Sequence, residues 1–539
     1  MSGLRKKTLI PCFIFAAFTW AQPESFSEGR KMRCADHVFS LPHKPFMQKL
    51  LTNEGDSVIS VDNLPAGLEV KNDRPGYKYI YGEAPDAGDY KYTVNLSNGT
   101  SMDVTFCVNS DLTQPTPFMG VLTWNSFEGH INDYNIKAIA DAFETFGLKD
   151  VGYNYMCIDD KWAAYDRKNN HLVWGEKFSD YADVVRYVHN KGLKIGIYSD
   201  AGSRTCSNAQ PGSYGYEKID AKDFVEWDFD LLKYDFCNAT GGTSASEAEL
   251  AYRTMGDALK EAATAKGKDF LYYMCEWGDR NPWEWAANTG ATCWRSTADT
   301  RDYWSDTTYK GGILQILDIM KEIWAYQGVN RWNDADMLMV GLHGTGYSSN
   351  DGGGDGYSAG LTPNEARTNF ALWCMFSSPL TLSNNITNLD GRPNSLTGKT
   401  VTNTYYKEDL DIILNKELIA LDQDPLGQAG EPIYDKTDYI VFQKDLADGS
   451  IALSITNLCK ETKSININLA DLSALKTGQN YKIRDLWQHA YLDSKTEGTH
   501  CVFDTSSTIT IPVPSHATYV YRIQEYRAAD LSWTDPHTF

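Results

Sequence analysis

Along the chain, short apolar segments repeatedly end in acidic residues. These are Asp159 and Asp160 in CIDDKW, Asp200 in GIYSDAG, Asp235 in LKYDFC, Glu276 in CEWG, Asp299 in WRSTAD, and Asp334 and Asp336 in RWNDADML. Taken singly, an acid in such a place usually serves as a helix cap or a loop ion pair. Acids gathered at one mouth are a different matter. Crowded like charge is costly, and it persists where the groups bind a polyhydroxyl ligand, a metal or a developing positive charge. Transition-metal chemistry calls for histidine ligands, yet between 116 and 420 only His130, His171, His189 and His343 occur, none in an acidic motif. No metal and no cofactor is expected. Cleavage of a glycosidic bond fits better, since it needs one ionised carboxylate and one protonated carboxyl group beside a sugar, with aromatics to hold the ring. Trp124, Trp162 and Trp277 adjoin the motifs, although most of the 15 Trp and 32 Tyr must serve packing. Lys233 and Asp235, two apart on one strand, share a face. The cation would favour ionised Asp235, and a buried structural ion pair is the equal alternative.

The elements carrying these acids alternate short apolar strands with helical patterns, which predicts an α/β domain with a parallel sheet over about 115–425. The strand candidates are PFMGVLTW, YNYMCID, LKIGIYS, DLLKYD, FLYYMC, TCWRS, DADMLMV and SSPLTLS. Eight such strands suggest a closed (β/α)8 TIM barrel, whose catalytic groups project from the C-terminal strand ends. Thr362, Pro363 and Glu365 form a cap, a first-turn proline and a capping-box acid, so a helix is expected from Glu365 to about Met375. Before the barrel, 32–110 alternates in the manner of strands. Its LPAGLEV and GEAPDAGDYKYTV segments resemble small immunoglobulin-like modules of bacterial carbohydrate enzymes, which implies an N-terminal β-sandwich. A polar linker, DLTQP, follows at 111–115. From 426 to 525 the runs YIVFQKDL, SIALSITNL, SININL and TITIPV point to a C-terminal antiparallel β-domain, with a tail at 526–539. The module either binds polysaccharide or acts as a spacer.

The 539-residue chain carries a net charge of -21, which opposes nucleic acid and anionic membrane surfaces as partners. Arg5, Lys6 and Lys7 precede an apolar run from Leu9 to Ala21, so 1–21 reads as a signal peptide rather than a membrane anchor. The mature protein is then secreted or periplasmic. Ten of the 11 cysteines follow that point and suit an oxidising compartment. Cys34 and Cys107 either close the first domain or remain free thiols. The glycine-rich stretch at 344–360, with Asp351 and Asp355, is either a solvated loop or a calcium site.

Together LKYDFC, CEWG, WRSTAD, IDDKW, GIYSDAGSRTC and ALDQDPLGQ resemble glycoside hydrolase family 27, the α-galactosidase and α-N-acetylgalactosaminidase group, from Thr116 to about Ile523. The resemblance implies exo-acting hydrolysis of terminal α-D-galactosyl residues with retention, on an α-galactoside oligosaccharide or polysaccharide. Asp235 would be the nucleophile and Asp299 the general acid/base, protonated partly through repulsion from Asp235, with carboxyl groups roughly 5–5.5 Å apart. It further implies that Asp159, Asp160 and Lys233 bind the 4- and 6-hydroxyls and that Arg295 and Glu276 serve the 2- and 3-hydroxyls. Trp124 would form a pocket wall with Trp277 nearby, Tyr198 would lie beside the nucleophile, and Asp336 would sit at the sugar. A bulkier acid at position 160 is associated in the family with L-arabinopyranose, and a small residue at 276 with a 2-acetamido group, so both positions favour galactose. Cys206–Cys237 matches a family disulfide, and Cys275–Cys293 suggests a second. The alternatives are α-N-acetylgalactosaminidase, β-L-arabinopyranosidase, isomalto-dextranase, or a non-catalytic carbohydrate-binding protein.

Overall fold

The computed structural model describes residues 31–344, 360–398, 400–492 and 502–526. The expected signal peptide, nearly all of the 344–360 stretch and nearly all of the 526–539 tail lie outside the described residues. Eight parallel strands pair in chain order: β1 (Met119–Leu122), β2 (Tyr155–Cys157), β3 (Lys194–Asp200), β4 (Leu231–Asp235), β5 (Leu271–Cys275), β6 (Cys293–Arg295), β7 (Trp332–Asp334) and β8 (Leu380–Leu382), with β8 returning to β1. Leu338 closes the ring: it pairs in parallel with Leu382, and its N–H donates to Thr381 O at 2.8 Å. Every position of β4 and β5 is buried, as expected for strands covered inside by barrel packing and outside by helices. The seventh strand lies earlier than the expected DADMLMV, because Asp336 takes a left-handed backbone (φ 73°) that ends the regular strand. The helix after the described loop runs Pro363–Phe376, with both reciprocal bonds of the capping box between Thr362 and Glu365 formed.

Ahead of the barrel, two small sheets face one another. One has the order His37–Ser40, Ser101–Val108, Gly88–Leu96, Val58–Asp62, and the other Pro45–Leu50, Lys78–Glu83, Leu68–Lys71. Phe46 and Ile80 meet Val94, Val104 and Phe106 between them. Cys34 and Cys107 are not joined by a disulfide, so no bridge between them closes this region. The DLTQP linker is pinned to the barrel: Gln114 accepts from Thr292 Oγ1 (2.6 Å) and from Trp332 Nε1 (3.0 Å). C-terminal to the barrel, strands from Glu431 to Glu525 form a long antiparallel sheet packed on the Lys463–Asn468/Thr508–Val513 pair. The N- and C-terminal β-regions meet directly. Lys49 lies 3.0 Å from Asp445 and 3.4 Å from Glu431, and Arg74 clasps Asp445 through both terminal nitrogens at 2.7 and 2.6 Å. Among the described residues, no helix is long and apolar enough to cross a membrane.

Candidate active site

Side chains two apart on a strand share a face, so β3 directs Tyr198 and Asp200 inward, and β4 directs Lys233 and Asp235. Strand register sets Asp200 beside Asp235 and Tyr198 beside Lys233. Asp235 is buried and accepts at both oxygens, from Phe236 N–H to Oδ1 (3.0 Å) and from the Tyr198 hydroxyl to Oδ2 (3.0 Å). Two donors in fixed directions orient the carboxyl group. Burial, reinforced by the Asp200 carboxylate, raises its pKa well above the usual carboxylate range, and the opposing field of Lys233 does not offset this. Lys233 does favour ionised Asp235, in the direction expected from their shared face, but it is also held in a buried ion pair. Its ammonium is bonded to Asp159 Oδ2 at 2.7 Å, both groups being buried. Spacing along one strand identified the face but not the partner, which comes from 74 residues away.

Asp159 also accepts the Asp160 N–H at 2.8 Å, and its own N–H donates to Thr123 Oγ1 at 3.1 Å. Asp160 accepts from Lys161 N (2.7 Å) and from Ser207 N (3.0 Å), which ties the loop after β2 to the loop after β3. Burial raises the Asp160 pKa. Trp124 heads a short helix after β1, with the Lys161 ammonium 4.9 Å from its ring centroid. Trp162 is core instead: it is fully buried, donates to Tyr198 O at 2.8 Å and packs against Trp174 and Trp227.

On the opposite side, Arg295 on β6 is a buried hub. It lies 3.0 Å from Asp299 Oδ1 and 3.0 Å from Asp336 Oδ1, and donates to Thr297 O at 3.1 Å. Asp299 is half exposed, whereas Asp336 is buried and accepts Thr300 N–H at 2.7 Å. Beneath them, burial pushes Asp334 up to about 6; it accepts from the Tyr273 hydroxyl and from Asp336 N. The Asp299 carboxylate adds to the rise in the Asp235 pKa. Lys161, Trp277 and Asp336 have left-handed backbones (φ 71°, 63° and 73°), costing about 1–3 kcal/mol each. Such strain tends to collect where side chains must be aimed at a ligand.

Glu276 follows the last residue of β5, Cys275, whose Sγ lies 3.5 Å from Arg295 Nη1. Its buried carboxylate accepts from Arg280 Nη1, and burial lifts it to about 7 against that cation. Its ion-pair partner is thus Arg280, whereas Arg295 pairs with Asp299 and Asp336.

Cys206 and Cys237 form the expected disulfide, joining the loops after β3 and β4. The expected Cys275–Cys293 bridge is absent, both thiols being free and buried. The register aligns Cys293 with Tyr273, leaving Cys275 two residues further along the neighbouring strand and opposite Arg295. Asp200, noted among the strand-end acids but given no role, lies at the centre of the site, fully buried beside Asp235. Its parity with Tyr198 was the available signal. Asp200, Asp235, Cys206 and Cys237 cluster as metal ligands would, but both sulfurs are committed to the disulfide.

Residues 116–424 match the family model for α-galactosidase A, and 436–523 the model for the α-galactosidase C-terminal β-sandwich domain. Among relatives, α-galactosidase A of Cellvibrio japonicus is 32% identical over 76% of this chain and 92% of its own. The α-galactosidase of Cyamopsis tetragonoloba is 33% identical over 75% and 85%. Among solved structures, α-galactosidase I of Mortierella vinacea aligns with a TM-score of 0.65 at 29% identity, covering 77% of this chain and 98% of its own. A Bacteroides fragilis protein provisionally assigned as an α-galactosidase aligns at 0.66 and 31% identity, covering 92% and 98%.

Proposed function

The chain belongs to the α-galactosidase family of glycoside hydrolases, and from that premise we propose that it releases terminal α-D-galactosyl residues with retention, through a covalent glycosyl-enzyme on Asp235. The observation that carries this reading is the disposition of the two acids. Asp235 is buried and held by donors at both oxygens, while Asp299 is half exposed at the mouth and within its electrostatic reach. An enclosed carboxylate in a fixed direction suits attack on an anomeric carbon, and an accessible carboxyl group suits proton exchange with a leaving oxygen and then with water. Asp299 protonates the glycosidic oxygen as the Asp235 oxygen bonds to carbon and the aglycone departs. It then takes a proton from the water that cleaves the ester, restoring both groups.

Asp159, Asp160 and Lys233 form a buried, pre-bonded set suited to the 4- and 6-hydroxyls, and Arg295 with Asp336 suits the 2- and 3-hydroxyls. Trp124 and Trp277 wall the ring, with Tyr198 beside the nucleophile. A sugar leaving such groups unpaired is rejected strongly, and Asp160 leaves room for the exocyclic CH2OH. Glu276 is paired with Arg280, and whether it bars a 2-acetamido group is read from the α-N-acetylgalactosaminide in the same assay. The N-terminal region is an immunoglobulin-like spacer, locked to the C-terminal domain by Lys49, Arg74 and Asp445, and the protein is exported.

The test is hydrolysis of nitrophenyl α-D-galactoside, α-N-acetylgalactosaminide, β-L-arabinopyranoside and α-glucoside, with Asp235→Asn as control. Turnover of the α-galactoside, abolished in the control, is expected. Preference for another glycoside refutes the sugar assignment, and full activity in the control refutes the nucleophile.

A further inference from the structure

Two buried carboxylates end adjacent strands in register, Asp200 on β3 and Asp235 on β4. The reaction described above uses only the second. Asp200 Oδ1 accepts Gly202 N–H at 2.6 Å and Oδ2 accepts Cys237 N–H at 2.9 Å, with Cys206 Sγ 3.6 Å away. Gly202 in turn lies so close to the nucleophile loop that an added Cβ would stand 2.1 Å from Asn238 O. One carboxylate thus stitches the loop after β3 to the residues two and three beyond Asp235. Burial lifts Asp200 to about 7 against the pull of the Cys237 and Gly202 N–H groups, and the strongest influences on it include no cation. The nearest candidate, Lys233, is bonded to Asp159.

Resting on the reading of Asp235 as nucleophile, we propose that Asp200 is a positioning residue that fixes the nucleophile loop through Cys237 and whose negative charge sets the pH at which Asp235 ionises. The groups facing Asp235 are Tyr198 and Asp200 from β3, Lys233 from β4, Cys275 from β5, Tyr252 from the helix Ala245–Lys266, and Asp299 after β6. Those facing Asp200 are Asp235, Asp160 after β2, Tyr198, Tyr234 and the disulfide. Of the anionic neighbours, Asp200 acts most strongly on Asp235. The two titrate as a pair. Esterification of Asp235 removes one of two adjacent charges, so their repulsion is relieved in the glycosyl-enzyme.

The test is the pH profile of kcat/KM on nitrophenyl α-galactoside for the wild type and for Asp200→Asn, Asp200→Ser and Asp200→Glu, with folding checked by circular dichroism. The wild-type acidic limb is expected well above the ordinary carboxylate value of about 4. The neutral variants move it to lower pH by about one pH unit or more, and Asp200→Glu returns it toward the wild-type position. A merely structural role lowers the rate without moving the limb. A folded neutral variant with a native limb overturns the proposal. So does a wild-type limb at about 4, which decides the matter even where neither neutral variant folds. An inactive wild type refutes the functional reading and this inference together, whereas turnover with an unmoved limb refutes this inference alone.

Discussion

Replacing Lys233 with Met removes an ammonium whose side chain is 5% exposed and bonded at 2.7 Å to a carboxylate that is 4% exposed. Breaking one side of a buried pair costs about 3–5 kcal/mol, because the remaining charge is stranded. Protonating Asp159 in the folded variant limits that loss. For a carboxyl group that ionises near 3.9 when unfolded, taking up the proton at pH 7 costs about 3 × 1.36, or about 4 kcal/mol, and at pH 5 about 1.5 kcal/mol. The sign follows from the variant's carboxyl, whose folded pKa is raised. Its deficit against the wild type therefore grows as pH rises above the unfolded value. Urea denaturation of both proteins at pH 5 and 7 measures this, with about 4 kcal/mol lost at the higher pH and less at the lower. The double variant Lys233→Met/Asp159→Asn should recover most of the stability but not the activity. A loss below about 1 kcal/mol at pH 7, or a larger one at pH 5, refutes the picture of a tightly buried pair.

Two further outcomes are expected. Replacing Cys206 and Cys237 with Ser opens a loop of 31 residues' separation, which on chain entropy alone costs about 3–4 kcal/mol. Activity should fall further than stability explains, because Tyr198 and Asp235 both touch the bridge; native kcat/KM in the folded double variant contradicts this. Against burial, Lys49 and Arg74 hold Asp445 far below the ordinary carboxylate range, so its stabilisation is fully present above about pH 4 and fades as pH falls below it. Asp445→Asn should cost about 3–5 kcal/mol at pH 7 and expose 31–110 to limited proteolysis. An unchanged cleavage pattern would mean that this cluster does not lock the N-terminal region.

The barrel was legible because its signals are local. Apolar runs of strand length, an acid at or just after the end of six of the eight and a capping box at Thr362 need no tertiary information. What spacing could not supply was contact across the barrel: the Lys233–Asp159 bond, the Arg295 bridge between Asp299 and Asp336, and the pinning of the apparent linker through Gln114. Inter-strand register was equally out of reach: Cys293 stands opposite Tyr273 rather than Cys275, which spacing along the chain does not reveal. Asp200 has the parity of Tyr198, and a strand-end acid with an inward-facing neighbour two residues back is a better site candidate than its motif alone suggests.

The central claim is that Asp235 is the residue that bonds to the sugar. Its most direct test is trapping with a fluorinated galactosyl donor that forms the glycosyl-enzyme faster than it hydrolyses, followed by peptide mass spectrometry. The account predicts one added glycosyl unit on the peptide bearing Asp235, with the α-anomer as first product during normal turnover. A label on Asp200 or Asp299, or release of the β-anomer, would contradict it.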